Sequence, residues 1–204
     1  MKKALILISM VVISSVSMAQ QGSWYIGGLV GISSSTNEDA SSGLKFKSST
    51  WAFAPEFGTF LKDDIQLGIA LGITGSKSTF DGDDQSKSIE LDPTIYGRKF
   101  FKITDNFSTF AGLYLSFISE TDTDYVPATV ETKTSGFGAR VGIGVAYGLS
   151  PRFTAVGQYG LLGFRSTKDK VDGDEVSTDT SFDFGVNTIG GSVFNIGIYY
   201  TIKE

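Results

Sequence analysis

Two residue types are missing from the 204-residue sequence: cysteine and histidine. Without cysteine there is no disulfide framework and no thiolate metal centre, and a lipid anchor on an N-terminal cysteine is excluded. Without histidine, hydrolase and acyl-transfer mechanisms lose their usual general base. A Ser–Lys or paired-carboxylate site is conceivable in its place, but no Ser-x-x-Lys stands at a strand-to-loop position with a partner. The sequence therefore predicts a protein that is not an enzyme and needs no cofactor.

Basic charge is also in short supply, with 17 Lys and Arg against 22 Asp and Glu. That balance supplies no electrostatic footprint for nucleic acid. Long apolar runs are scarce as well. The longest, Ala4 to Val16, has 13 residues, short of the ~20 needed for a transmembrane helix. It follows Lys2 and Lys3 and precedes the small-x-small triplet Ser17-Met18-Ala19. This is the pattern of a secretory signal peptide over residues 1–19, with cleavage before Gln20; an uncleaved N-terminal anchor is the alternative. Residues 20–204 then form one domain.

What is abundant is glycine, 25 residues, and aromatic side chains, 13% of the chain. From Gln20 onward no apolar period of 3.6 residues is sustained; alternation of period two appears instead. Four similar segments begin at Trp24, Ile65, Phe107 and Phe153. A return strand fits between each, at about 50–61, 88–101, 137–149 and 192–203. The result is four hairpins, or eight strands. A propeller blade would need four short strands in each repeat of this length, and the strands here are too long. The connections alternate: Lys62-Asp63-Asp64, Thr104-Asp105-Asn106 and Ser150-Pro151-Arg152 read as tight turns. Residues 34–46, 76–87, 120–133 and 166–187 read as long polar loops.

Parity sorts each strand into two faces. Ile65, Leu67, Ile69, Leu71 and Ile73 share one face against Gln66, Gly68, Ala70, Gly72 and Thr74. Phe137 to Tyr147 and Phe194 to Ile202 divide likewise, large apolar residues opposing small or polar ones. Strand charges fall on the small-residue face: Glu56, Glu90, Asp92, Arg98 and Arg140. A soluble lipid-binding calyx would place its bulky apolar groups inside. A membrane barrel turns them to lipid and keeps polar groups in the lumen. The expected fold is all-β: an eight-stranded, antiparallel, up-and-down transmembrane β-barrel. Trp24, Trp51, Phe100, Phe101, Phe107, Phe153 and Tyr200 fit aromatic girdles at its rims.

The segments Pro55-x-x-Gly58-x-Phe60-x-x-Asp63-Asp64-Ile65-x-Leu67-Gly68, Pro93-x-x-x-x-x-x-Phe100 and Gly142-x-Gly144-x-x-Tyr147-Gly148-Leu149-Ser150-Pro151-Arg152-Phe153 carry a resemblance. They resemble the small porin-like outer-membrane β-barrel family, related in shape to the OmpA transmembrane domain. The resemblance spans the chain after the leader and implies a Gram-negative outer-membrane location. It implies contact with outer-membrane lipid and with the barrel-assembly machinery. One feature departs from the family pattern: the chain ends Tyr200-Thr201-Ile202-Lys203-Glu204 rather than in an aromatic residue.

Three constellations remain. Gly136-x-Gly138-x-x-x-Gly142 lies on a strand with no helix to follow, so it is not a dinucleotide fingerprint. Asp81-Gly82-Asp83-Asp84 and Asp172-Gly173-Asp174-Glu175 could offer oxygen ligands to Ca²⁺, but they lack EF-hand spacing and read better as solvated turn tips. The lumenal charges Glu56, Glu90, Asp92, Arg98 and Arg140 would need pairing in a narrow interior. Glu56 is expected to pair with Arg98 or Arg140, either as structural filling or as a gate. The function expected is non-enzymatic: a monomer contributing to envelope structure, with acidic external loops for extracellular partners. A narrow channel for small solutes or ions is the alternative.

Overall fold

A computed structural model describes residues 21–38, 43–126, 129–171, 173–184 and 195–202. The leader segment 1–19 and residues Val193 and Phe194 lie outside the described residues. Nine strands follow in order: β1 (Trp24–Glu38), β2 (Lys45–Lys62), β3 (Ile65–Phe80), β4 (Asp83–Lys102), β5 (Phe107–Asp124), β6 (Val130–Gly148), β7 (Phe153–Val171), β8 (Asp174–Phe184) and β9 (Asn195–Ile202). The starts of β1, β3, β5 and β7 coincide with the four repeat starts in the sequence.

All neighbours pair antiparallel, each strand with the next from β1 to β8. β9 and β8 lie end to end along one edge of β7, with Phe153–Gln158 facing β9 and Leu162–Val171 facing β8. They form the eighth stave in two pieces. β9 also pairs with β1, from Trp24↔Ile202 to Val30↔Ile196, which closes the ring. Closure satisfies the backbone groups that an open sheet would expose to lipid.

The two ends differ, though less than the polar stretches suggest. Most described residues of the long polar loops read from the sequence are instead strand: β1 runs to Glu38, β4 starts at Asp83, β5 runs to Asp124 and β7 to Val171. Thr recurs in these stretches and favours extended backbone, and cross-strand pairing carries the hairpins past the apolar band. Asp81 and Gly82 turn β3 into β4 with φ of 49° and 97°. Two positive φ values make this the tight turn that suits hairpin twist, and Asp-Gly its usual sequence.

Sidedness follows the parity of the sequence. Ile26, Phe57, Leu67, Ile69, Leu113, Phe117, Phe137, Ile143 and Ile198 are all exposed on the outer wall. Tyr25, Tyr96, Phe110, Tyr114 and Tyr199 pack inside. Of the girdle residues, Trp24 stacks on Phe57 at 5.2 Å, and Phe153 packs against Tyr200 at 5.1 Å. Phe100 is a correction: it is buried in the lumenal cluster against Phe60 and Phe110. An aromatic at a strand end serves either face, and the even parity it shares with Tyr96 and Arg98 turns it inward.

Lumenal glycines make room for these rings. A Cβ at Gly68 would collide with the hydroxyl of Tyr25, one at Gly144 with the Phe110 ring, and one at Gly27 with Tyr199. The glycine-rich face is therefore a wall against which aromatic side chains lie flat.

Candidate functional site: a layered lumen

β4 alone sets out the layers. Its inward residues, from the hairpin end to the turn end, are Glu90, Asp92, Thr94, Tyr96, Arg98 and Phe100. Each layer is completed by side chains from other staves.

The central layer is built on Arg98, whose side chain is fully buried. A guanidinium has five N–H donors, and here every one is used. Nε donates to Tyr114 Oη at 2.9 Å. Nη1 donates to Gln66 Oε1 at 3.2 Å and Tyr199 Oη at 2.7 Å. Nη2 donates to Glu56 Oε1 at 3.2 Å and Gln158 Oε1 at 3.1 Å, and lies 3.0 Å from Glu56 Oε2. The Arg98 carbon Cζ also sits 4.1 Å from the centroid of the Tyr96 ring, a cation–π contact strengthened by desolvation.

Tyrosine hydroxyls relay the remaining bonds in defined directions. Tyr96 and Tyr199 both donate to Glu56 Oε2, at 2.5 Å and 2.8 Å. Because the Tyr96 proton is committed to the carboxylate, Tyr25 is the donor in the 2.6 Å contact between Tyr25 and Tyr96. Tyr114 accepts from Arg98 and donates to Gln158 at 3.0 Å. Residues of β1, β2, β3, β4, β5, β7 and β9 thus meet around one cation. Arg98 on β4 thus bridges the lumen at this level to Glu56, Gln66, Tyr114, Gln158 and Tyr199. Towards the turns, Phe60, Phe100 and Phe110 add an aromatic layer.

Above Arg98 the lumen widens. A cavity of about 280 Å³ is lined by Glu90, Asp92, Thr94, Ser116, Arg140 and Arg165 among others. A second, of about 150 Å³, reaches down to Glu56, Tyr96 and Gln158. At the top, Arg165 Nη2 lies 2.9 Å from Glu90 Oε2 and 3.6 Å from Glu120 Oε2.

The five residues singled out in the sequence all face the lumen, but they do not form one network. Glu56 and Arg98 pair directly. Arg140 instead lies over the Tyr114 ring, 4.8 Å from its centroid, and lines the cavity above it with Asp92 and Thr94. Glu90 belongs to the upper cluster with Arg165 and Glu120, which sequence reasoning missed. The reason is a bulge. Val141 pairs with Leu162 but Gly142 with Gly160, so Leu161 is an extra residue in β7. Inward parity switches there from even (Val156, Gln158) to odd (Gly163, Arg165, Thr167). Glu120 was hidden by reading 120–133 as loop. Tyr25, Tyr96, Tyr114, Tyr199, Gln66 and Gln158 carry the signal that was available: polar groups on the small-residue face. Of the acidic tips, Asp84 is engaged by Lys77 at 2.7 Å, and Asp172 lies outside the described residues.

A closed antiparallel ring with an apolar outer wall and a polar, side-chain-filled core defines a small membrane β-barrel. The chain belongs to the outer membrane protein beta-barrel domain family, whose model matches residues 4–200. Among solved structures it is similar to the outer membrane protein OprG from Pseudomonas aeruginosa: 17% identity, TM-score 0.53, 92% of this chain and 99% of that one. It is also similar to the E. coli outer membrane protein W, with 13% identity, TM-score 0.51, and 91% and 100% of the two chains. The translocator domain of the autotransporter NalP from Neisseria meningitidis gives 9% identity and TM-score 0.50 over 98% of this chain and 96% of that one. At such identities the likeness is one of fold. No curated protein sequence matches the chain. The protein is thus an outer-membrane β-barrel, and the soluble-calyx alternative falls. In bacterial barrels the short turns are periplasmic and the longer hairpins external.

Proposed function

We propose that this protein is a non-enzymatic, non-conducting barrel that contributes to envelope structure, with external hairpins offered to extracellular partners. One observation carries the reading: Arg98, with all five donors satisfied, ties six strands together across the lumen, its own β4 with β2, β3, β5, β7 and β9. A permeation element gains nothing from spending every donor on the barrel itself. The missing histidine supports the non-enzymatic part. The channel alternative draws on the cavities above Arg98, which make half a pathway. Planar-bilayer recording on refolded protein decides between them. The wild type should show little or no steady conductance; large, steady single-channel currents would make the channel reading correct.

A further inference from the structure

Three arginines face the lumen, and the barrel itself occupies two of them. Arg98 uses every donor on neighbouring side chains, and Arg165 is paired with Glu90 and Glu120. Arg140 differs. Among the described residues its guanidinium has neither a hydrogen-bond acceptor nor an ion pair, and it sits over the Tyr114 ring. The Tyr114 hydroxyl is already committed, accepting from Arg98 and donating to Gln158, so the ring offers Arg140 only its face.

Arg140 is seated in a cavity rather than left at a rim. Gly160 makes room for its stem, since a Cβ there would stand 3.2 Å from Arg140 Cδ. The cavities of about 280 Å³ and 150 Å³ above Arg98 share Arg140, Asp92, Thr94 and Tyr114 on their walls. The charged residues lining the two are Glu56, Glu90, Asp92, Arg140 and Arg165. Glu56 is matched by Arg98, and Glu90 by Arg165, which Glu120 shares. One cation and one anion remain. Arg140 and Asp92 face the same space, yet neither has an ion pair within 4.0 Å among the described residues. Asp92 Oδ1 accepts from Thr94 Oγ1 at 3.2 Å, a neutral partner that leaves its charge unmatched.

Charges drawn into a protein are costly unless they are paired. Both of these are partly covered, and the barrel pairs their charged neighbours but not them. A guanidinium presents parallel N–H donors that match the two oxygens of a carboxylate. An ionised Asp only accepts, so it matches a hydroxyl. Thr74, Ser116 and Asn195 add further hydroxyl and amide groups to the same wall. A short polyol chain ending in a carboxylate offers both kinds of group at once.

We propose that this vestibule binds a small hydroxylated carboxylate of the sugar-acid type, with its carboxylate on Arg140 and a hydroxyl on Asp92. The site lies above the Arg98 layer and is entered from outside the cell, so the inference does not depend on whether the lumen conducts. A plain carboxylate would meet Asp92 with no donor to offer it. A neutral sugar would leave Arg140 unmatched. Reading both groups gives selectivity, because each partial ligand leaves one buried charge without a partner.

The full barrel is refolded into zwitterionic micelles, its folding is checked by gel mobility, and gluconate is titrated into it in a calorimeter. Glucitol, with the hydroxyls but no carboxylate, and butyrate, with the carboxylate but no hydroxyls, are the comparison probes. Gluconate should bind, and each comparison probe should bind roughly tenfold more weakly or worse, as the loss of a charge-assisted bond implies. Arg140→Gln should lose the preference for gluconate over glucitol, and Arg140→Lys should regain part of it, keeping the charge without the fork. Asp92→Ala should shrink the preference for gluconate over butyrate. Asp83→Asn, in the exposed turn, should bind as wild type does. No saturable heat with gluconate, or equal binding of the three probes by the wild type, would overturn the proposal even if Arg140→Gln failed to fold. So would a gluconate preference that Arg140→Gln retains in full.

Discussion

Glu56 accepts four contacts at its two oxygens, from Tyr96, from Tyr199 and twice from Arg98. Removing it leaves a buried cation without its counter-charge and one guanidinium donor without its acceptor. Breaking a buried pair from one side typically costs about 3–5 kcal/mol. Asp83, by contrast, is exposed at the start of β4, where a substitution changes little. Glu56→Ala should therefore lower the unfolding midpoint in urea far more than Asp83→Ala; equal effects would show that the pair contributes nothing. The pairing was legible because both residues stand out as charges among glycines and alanines on one parity. What parity does not give is height. Arg140 shares the face, but cross-strand register places it beside Tyr114 and Tyr96, one layer above Arg98. Register depends on turn and bulge geometry around the whole ring, which no single strand encodes.

At the scale of the strand, the repeat starts and tight turns were plain in the sequence because each turn carries residues that bend the backbone locally. Ser150 Oγ, for example, accepts from the backbone N–H of Phe153 at 3.1 Å. The ends of the hairpins were not plain, since a Thr- and Ser-rich polar run reads as loop until neighbouring strands are seen to pair with it. The bulge at Leu161 was also invisible, because it leaves composition unchanged while reversing the faces of everything beyond it. Bulges are used in this way to re-aim side chains. Leu161 is the residue that the register skips, with Val141 opposite Leu162 and Gly142 opposite Gly160, so deleting it would remove the bulge and leave Gly163, Arg165 and Thr167 facing inward. The deletion should therefore assemble as well as wild type by gel mobility, with the Arg165 contacts to Glu90 and Glu120 kept. Ile143→Arg at the middle of the wall should assemble in lower yield, since Arg on the lipid face of a barrel costs about 2–4 kcal/mol at the midplane. If the deletion assembles as poorly as Ile143→Arg, Leu161 is not a dispensable extra residue and the sidedness of β7 depends on the bulge itself.

The whole barrel is asymmetric along its axis. A polar vestibule opens among the external hairpins, the Arg98 layer crosses the lumen beneath it, and aromatic rings fill the turn end. Thr94 lines the upper cavity, whereas Thr154 lines a small pocket with Tyr25, Phe60 and Phe100 on the other side of Arg98. The absence of cysteine makes each position testable by a single introduced thiol. In intact cells, a bulky membrane-impermeant maleimide should label Thr94→Cys quickly and Thr154→Cys hardly at all, because only the first is reached from outside without passing the Arg98 layer. Disrupted cells, which give access to the periplasmic end, should label Thr154→Cys and so show that its thiol is competent. Adding Glu56→Ala loosens the crossing layer, and labelling of Thr154→Cys from outside should then rise if the layer is the barrier. If Thr154→Cys is labelled as fast as Thr94→Cys in intact cells with Glu56 in place, the lumen is open past Arg98. The saturated guanidinium would then be a brace on the wall of a pore rather than its closure.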